Sequence, residues 1–221
     1  MTQSTRPISK SSARWSLATL VALAPLAVAA CGGGKGARKP RPEDLIGADP
    51  LPLAAGAAWK YKATVTSYDV DKQQEVKRDL DWTTQIIDVK PSDGVTAYTV
   101  RGWPSDLADA AEGTPKATDR VLLRAGDSFM WATEGTSVEG AQGWFTWPLM
   151  EGQQICPDPG VTYCWNVAST EDGYQLTYRT GPDEEVYLLQ PGTGVAYYRY
   201  THHGTINDVE AKLVDYKPGK K

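Results

Sequence analysis

The 221-residue sequence has only two histidines, two phenylalanines and three cysteines, and it lacks a surplus of positive charge. Its formal net charge is −4, whereas proteins that bind nucleic acid are usually basic. We therefore expect no nucleic-acid partner. A mean hydropathy of −0.42 excludes a protein with several membrane-spanning helices. Eight tryptophans and eleven tyrosines exclude a disordered chain, because such chains are poor in aromatic residues.

Motifs for catalysis and metal binding are also scarce. His202 and His203 are the only imidazoles, and neighbours on a strand point to opposite faces, so both cannot easily bind one metal ion. Gly126-Asp127-Ser128 resembles the nucleophile block of GDSL-type esterases, but the Asp-x-x-His block of that family is missing. We interpret this segment as a hairpin turn. Phosphate-loop and dinucleotide fingerprints are absent, so we expect no enzyme activity, no cofactor and no metal.

Two carboxylate clusters remain as candidates for acid–base chemistry. Asp79 and Asp81 are two residues apart, and Asp183, Glu184 and Glu185 are consecutive. Glycosidases use paired carboxylates to cleave glycosidic bonds. The same patterns are typical of a solvated strand face or a turn, and this is the interpretation that we favour.

Residues 1–30 have the pattern of an export signal. Three basic residues and no acid precede an apolar run from Ser16 to Ala30. A charged head, a short apolar run and small residues at its end are typical of a secretory signal peptide. The run contains Pro25 and is shorter than the roughly 20 residues that a membrane-spanning helix needs.

Val28-Ala29-Ala30-Cys31 closes this run and resembles the lipobox of bacterial lipoproteins. The resemblance implies cleavage before Cys31, diacylation of its sulfur, with palmitate among the acyl chains, and acylation of the new N-terminus. Several acyl chains anchor a protein stably in a bilayer. We expect a lipid-anchored protein of the cell envelope. In a Gram-negative cell Gly32 implies the outer membrane, facing the periplasm or the surface. The alternative is an ordinary cleaved signal in which Cys31 occurs by chance.

Residues 31–50 are predicted to form a flexible basic tether. Gly and Pro are frequent between Gly32 and Pro42, and four basic but no acidic residues occur there. These charges favour an anionic lipid surface beside the anchor, although a solvated linker is equally consistent with them. From Glu43 onward the chain has 16 basic and 27 acidic residues, a net charge of −11. We assign the folded domain to 51–217 and a disordered tail to 218–221.

Cys156 and Cys164 remain once Cys31 is assigned to the anchor. Both lie in one short segment that is rich in Pro and Gly, and exported compartments favour disulfides. A zinc site needs closer cysteine pairs and further His or Cys ligands. We predict a disulfide between these two residues.

The periodicity of the domain is close to two, which is typical of β-strands. Trp59, Tyr61, Ala63 and Val65 alternate with polar residues. Turn-forming residues recur about every ten positions, and only Ser105–Glu112 is predicted to be helical. The sequence therefore predicts a mainly β domain, a single antiparallel, strongly curved sheet (an open half-barrel or sandwich-like) with one short helix.

Two segments of the domain resemble uncharacterised bacterial envelope lipoproteins. One is Leu51–Tyr61, with its Pro-Leu, Gly and Trp-x-Tyr, and the other is Tyr187–Val195, with a Pro-Gly-x-Gly turn. Thr193 departs from the usual Val of that turn. The resemblance implies an open, curved antiparallel sheet like that of periplasmic lipoprotein carriers, and it implies no enzyme activity.

Trp144, Phe145 and Trp147 are the candidate binding residues. Trp and Tyr combine an apolar ring with a polar group, which suits binding surfaces, and these three residues precede the predicted disulfide loop. We expect them at the rim of an opening, and the alternative is that they form part of the core.

Two functions follow. The first is a non-catalytic module of an anchored lipoprotein that binds a partner protein or a surface polymer. The alternative is a carrier or sensor of an apolar, lipid-like ligand in the concave face of the sheet. An anchored hydrolase that uses His202 or His203 is a third possibility.

Overall fold

The structure is a computed structural model, and it describes residues 47–69, 71–112, 115–133, 135, 137–156, 160, 162–203 and 207–220. The predicted signal peptide, Cys31 and all but the last four residues of the predicted tether lie outside these ranges. The fold and the site below concern the described residues.

Twelve strands and one 3₁₀ helix follow one another along the described chain. The strands are β1 (Ala58–Asp69), β2 (Gln74–Ser92), β3 (Val95–Arg101), β4 (Asp119–Ala125), β5 (Ser128–Trp131), β6 (Gln142–Thr146), β7 (Gln154–Ile155), β8 (Trp165–Thr170), β9 (Gly173–Arg179), β10 (Asp183–Gln190), β11 (Gly194–His202) and β12 (Asn207–Lys217). The 3₁₀ helix, Pro104–Glu112, lies between β3 and β4.

All twelve strands form one antiparallel sheet in the order β6-β5-β4-β3-β2-β1-β12-β11-β10-β9-β8-β7. The first and last long strands, β1 and β12, pair in the middle, and the short strands β6 and β7 form the two edges. The prediction of a mainly β domain with one antiparallel, curved sheet is confirmed.

The sheet curls until its two halves face each other. Trp144 on β6 and Tyr187 on β10 are eight strands apart in the sheet order. In a flat sheet that separation would be about 38 Å, because neighbouring strands lie about 4.8 Å apart. Their ring centroids are instead 5.6 Å apart. Curvature therefore creates contacts across the interior that neither half could form alone.

The inward-facing residues follow the predicted alternation. On β1, Trp59, Tyr61, Ala63 and Val65 are buried, and the residues between them are more exposed. Burial of an apolar side chain removes its surface from water, which stabilises the fold. Because every second residue of β1 is apolar, one face of the strand carries them all, and that face packs inward. The core is continuous from β1 to both edges of the sheet.

The 3₁₀ helix lies on the concave side against β1, β11 and β12. Leu107 is completely buried in the core, and the side-chain amide of Asn207 donates a hydrogen bond to the carbonyl of Ala108. Protein atoms therefore fill the concave face where the helix crosses it.

The folded unit extends beyond both boundaries predicted from the sequence. The carbonyl of Asp49 accepts a 2.7 Å hydrogen bond from the Gly192 amide, and the Asp49 carboxylate lies 2.6 Å from Arg124. At the other end the Lys220 amide donates to the Ala55 carbonyl at 3.0 Å. Asp49, which we assigned to the tether, and Lys220, which we assigned to the tail, thus both have hydrogen-bond partners in the folded part of the chain.

Candidate ligand-binding cleft

The three consecutive acids of β10 have three different environments. Asp183 Oδ1 lies 2.7 Å from His202 Nδ1. Glu184, on the opposite face of the strand, forms an ion pair with Arg199. Glu185 instead lines an aromatic interior. Alternation along the strand thus places Glu184 on the opposite face from Asp183 and Glu185, and Asp183 is engaged by His202 and not by Glu185.

A cleft of about 230 Å³ opens beside Glu185, between β4–β6 on one side and β8–β10 on the other. Its polar lining consists of Ser105, Arg120, Gln142, Gly143 and Glu185. Its aromatic lining consists of Trp103, Trp131, Trp144, Trp165, Tyr178 and Tyr187. We call this site the aromatic cleft.

The rings of the aromatic cleft hold one another in place. Trp103 packs edge to face on Trp131 and Trp144, with centroid distances of 5.0 and 5.5 Å. Such contacts are favourable beyond the area that they bury. Trp103 and Trp144 are buried, whereas Trp131 and Trp165 are only half-buried. The two half-buried indoles therefore offer ring surface to an incoming group.

A hydrogen-bond chain connects one of these rings to the carboxyl group. Trp103 Nε1 donates to Tyr187 Oη at 3.2 Å, and Tyr187 Oη donates to Glu185 Oε1 at 2.8 Å. Burial raises the pKa of Glu185, and the hydroxyls of Tyr187 and Tyr198 together with the charge of Arg120 counteract this only in part. Burial also raises the pKa of Tyr187 well above its usual value. Tyr187 therefore remains a neutral donor to a carboxyl group whose charge is poorly compensated.

The cation that borders the aromatic cleft already has partners. Of the lining residues, all of which are described, Arg120 alone is basic. Its Nη2 lies 2.7 Å from Oδ1 of the buried Asp106, and its Nε donates to the same oxygen at 2.9 Å. Asp109 lies 4.0 Å away. The charge of Arg120 is thus balanced without Glu185.

Tyr198 lies opposite Tyr187 on the neighbouring strand β11, with ring centroids 4.9 Å apart. It is completely buried, and its hydroxyl lies outside regular hydrogen-bonding geometry from every described group, but it still interacts with Glu185. Burial raises its pKa well above the usual value, and the negative charge of Glu185 contributes to the same shift. The site therefore contains a second tyrosine hydroxyl that acts on Glu185.

The other carboxylate cluster lies on the convex face of the sheet. Asp81 pairs with Lys62 at 2.6 Å, and Asp79 accepts a 2.7 Å hydrogen bond from the Thr64 hydroxyl. Both Lys62 and Asp81 are well exposed. These contacts agree with the solvated strand face that we favoured from the sequence.

The three predicted rim residues have separate positions. Trp144 lines the aromatic cleft. Phe145 is buried and stacks on Phe129, with ring centroids 4.7 Å apart. Trp147 is half-buried and packs edge to face on Tyr174 at 5.5 Å. Only Trp144 therefore borders this cleft, and a role in binding stays a prediction for all three.

The predicted disulfide between Cys156 and Cys164 is present, with the two Cα atoms 4.3 Å apart. It flanks the β7–β8 pair, in which Ile155 lies opposite Trp165. The disulfide thus restrains the strand end that carries one indole of the aromatic cleft. Cys31, the predicted site of lipidation, lies outside the described residues.

The remaining candidates have structural partners. The Gly126-Asp127 segment forms the turn between β4 and β5, and the Ser128 hydroxyl lies 3.1 Å from that of Thr146. Among the described residues, no three His, Cys, Asp or Glu side chains are grouped so that they could hold a metal ion. Nor does the described part of the chain contain a helix with the length and apolar character needed to cross a membrane.

The sequence analysis missed the most distinctive acid of the site. Glu185 was grouped with its acidic neighbours, although it lies two residues before Tyr187 and therefore on the same strand face. That parity was a usable signal for an inward-facing carboxyl group. Nothing in the sequence indicated that Trp103 and Trp165, which are 62 positions apart, border one cleft.

Comparison with known proteins gives no family. No family model matches the chain, and no curated protein matches it. Several solved structures resemble it, among them the following two, both at low identity. One, from Bacteroides fragilis, is thought to be an exported protein with a YmcC-like fold (10% identity, TM-score 0.41), and the other, from Parabacteroides distasonis, is thought to be a lipoprotein (11% identity, TM-score 0.35). Each alignment covers 77% of this chain and 99% of the other. At these TM-scores neither assigns a function to the chain.

Proposed function

We propose that this chain is a lipid-anchored lipoprotein of the cell envelope whose β domain is a non-catalytic binding module. The lipobox-like Val28–Cys31 segment supports the anchor. The aromatic cleft supports binding, and it receives a group that projects from a partner protein or a surface polymer. In a Gram-negative cell the anchor lies in the outer membrane.

The aromatic cleft is the observation that carries the binding function. Tryptophans contribute much of the binding energy in many binding sites, because they combine a large apolar ring with a polar N–H group. The half-buried Trp131 and Trp165 lie beside the polar Glu185 and Gln142. A few polar groups within an aromatic wall are typical of a site that orients its ligand.

The volume of the aromatic cleft favours one projecting group over a whole lipid. At about 230 Å³ it is smaller than the roughly 300–1,000 Å³ of sites that enclose a drug-sized ligand. The 3₁₀ helix occupies the concave face where it crosses β1, β11 and β12. The aromatic cleft therefore favours a group that projects from a polymer or protein partner over an enclosed lipid.

The anchor is tested by replacing Cys31. We expect the unmodified chain to sediment with membranes and to yield an acylated N-terminal peptide by mass spectrometry. Cys31→Ala should be released as an unacylated chain or remain uncleaved. Unchanged membrane association together with an unacylated peptide would disprove the lipoprotein assignment.

Binding in the aromatic cleft is tested by photo-cross-linking in cells. Gln142 is exposed and lines the cleft, so a benzoylphenylalanine at this position should capture a bound partner or polymer. The matched position is Lys62, which is exposed on the convex face. We expect a reproducible adduct at position 142 that Trp165→Ala removes, and none at position 62. Equal adducts at both positions, or none at 142, would contradict binding in this cleft.

A further inference from the structure

No described base forms an ion pair with Glu185. On β10 it shares its strand face with Asp183, which is 2.7 Å from His202. On β11 it faces neutral tyrosines, and on β4 Arg120 is paired with Asp106. Arg120 acts on Glu185 only through its charge, as a minor influence on the pKa, so Glu185 is the acid of the cleft that lacks a bonded cation.

The walls of the aromatic cleft attract positive charge as well. The face of an indole or phenol ring carries negative potential, so a cation within about 6 Å of a ring centre is stabilised, most strongly by tryptophan. Four tryptophans and two tyrosines line this site. A ligand that is both apolar and positively charged therefore gains from the rings and from Glu185.

Other occupants fit less well. A metal ion needs several oxygen, nitrogen or sulfur ligands, and the described residues contain no such group. A sugar needs several free hydrogen-bonding side chains, but Arg120 is already engaged by Asp106. An alkylated ammonium group needs few or no hydrogen bonds from the protein, because its charge is surrounded by methyl or methylene groups.

Two tyrosine hydroxyls act on Glu185 and favour its ionised form beside a bound cation. Tyr187 donates to Oε1 of Glu185 at 2.8 Å. Tyr198 is completely buried, and its hydroxyl also interacts with Glu185. A cation in the cleft would keep Glu185 ionised, and an ionised carboxylate is a stronger acceptor for both hydroxyls.

We infer that the aromatic cleft binds an organic ammonium group, quaternary or otherwise alkylated, with its positive charge against Glu185 and the tryptophan faces. This inference rests on the proposed function and specifies the chemistry of its ligand. The cleft volume of about 230 Å³ suits an ammonium head group at the end of a larger molecule.

The test is calorimetric titration of the exported chain in a polyoxyethylene detergent, which contains neither an ammonium group nor a sugar. The probes are choline, its neutral counterpart 3,3-dimethylbutan-1-ol, in which a carbon atom replaces the positively charged nitrogen, and the uncharged sugar N-acetylglucosamine. We expect choline to bind at least about tenfold more tightly than its neutral counterpart. This comparison uses the unmodified protein and does not depend on the folding of any variant.

Two variants locate the effect. Glu185→Gln keeps the shape of the side chain and should reduce the preference for choline to the smaller part that the rings supply. Glu184→Gln makes the same change of charge one residue away, on the opposite face of β10 where Glu184 pairs with Arg179 and Arg199, and it should keep the preference.

Each contrary result has a defined meaning. Equal affinity for choline and its neutral counterpart would overturn the inference and leave a neutral binding cleft, and a preference that Glu185→Gln does not diminish would overturn the placement of the positive charge against Glu185. Binding of N-acetylglucosamine without choline would overturn it in favour of a sugar and retain the proposed function. No binding of any probe would also overturn it. The adduct at position 142 would then decide separately whether the cleft binds a partner at all.

Discussion

The hydroxyl of Tyr61 on β1 donates a 2.9 Å hydrogen bond to the carbonyl of Val195, which is 134 positions away at the start of β11. Trp59, two residues earlier, donates its indole N–H to the carbonyl of Thr193 in the same turn. The two segments that resemble envelope lipoproteins are thus in direct contact. The aromatic pair on the first strand holds the Pro-Gly-x-Gly turn between β10 and β11.

Loss of the Tyr61 hydroxyl should destabilise the domain. Tyr61→Phe keeps the buried ring but removes the donor to Val195, and we expect the free energy of unfolding to fall by about 1 kcal/mol. Urea unfolding with an unchanged slope would measure this. Tyr68→Phe, on the same strand but 43% exposed, is the control and should change little. Equal effects of both variants would contradict a specific role for the bond.

Gly194 should not tolerate a side chain. Its φ is +100°, and a Cβ atom there would lie 3.0 Å from Trp59 Nε1. Gly194→Ala is therefore strained and crowded, and we expect it to cost more than about 1 kcal/mol. At Gly181 no atom lies within 4 Å of such a Cβ atom, so Gly181→Ala should be close to neutral. Thermal unfolding of both variants distinguishes these outcomes.

Asp106 should be one of the most sensitive polar residues. It is buried, and its carboxylate accepts hydrogen bonds from the Thr118 amide at 2.8 Å and from Arg120 Nε at 2.9 Å. Asp106→Ala leaves these donors unpaired, so we expect a loss of about 3 kcal/mol. Asp109→Ala removes an exposed acid 4.0 Å from the same arginine and should cost less than about 0.5 kcal/mol. Comparable losses in chemical denaturation would disprove the distinction.

Glu185 should make stability depend on pH in the direction opposite to most acids. Burial raises its pKa in the folded state above the usual 4.5, so the folded protein keeps this proton longer than the unfolded chain does. Its contribution is therefore most favourable below pH 4.5 and is lost as the pH rises through the folded-state pKa. Glu185→Gln should be relatively more stable at neutral than at acid pH.

The measurement is the difference in free energy of unfolding between Glu185→Gln and the unmodified chain, taken at several pH values. Asp183, whose pKa is lowered by hydrogen bonds from His202 and Tyr200, loses stabilisation at low pH in both proteins. Its contribution therefore cancels in the difference. A difference that does not change with pH would mean that Glu185 is not shifted as described.

The disulfide should stabilise one edge of the sheet. Cys156 and Cys164 close a loop with a sequence separation of 8, for which the chain-entropy model gives about 2–3 kcal/mol. We expect replacement of both by Ser to lower the free energy of unfolding by up to this amount and to increase amide exchange in β7 and β8. Dithiothreitol should reproduce the loss in the unmodified chain and have no effect on the double variant.

Much of the strand pattern is local information. The alternation in β1 depends on neighbouring residues, because side chains of a strand point alternately to its two faces. The turns 69–74, 91–94 and 125–127 depend in the same way on the turn-forming residues within them. The pairing of Cys156 with Cys164 is similarly local. The strands β6 and β7 were not predicted, because they are short and lie at the sheet edges.

Local alternation failed where the strand register changes. Trp144 and Phe145 are consecutive yet both buried, and the pairing of β5 with β6 shifts between Phe129 and Met130. An extra residue in one strand turns two neighbouring side chains towards the same side. No pattern in the sequence indicated this change in the β5–β6 pairing, so Phe145 was expected at a rim.

By itself the sequence determined the export pattern, the alternating strands and the cysteine pair, since each depends on residues close together in the chain. Only the tertiary structure decided that Trp144 and Tyr187 meet at 5.6 Å, and that Glu185 alone among three neighbouring acids lines an aromatic cleft. The physical reason is the curvature of the sheet. It brings strands that are distant in sequence and in sheet order into contact, and it arises from the packing of all twelve strands together.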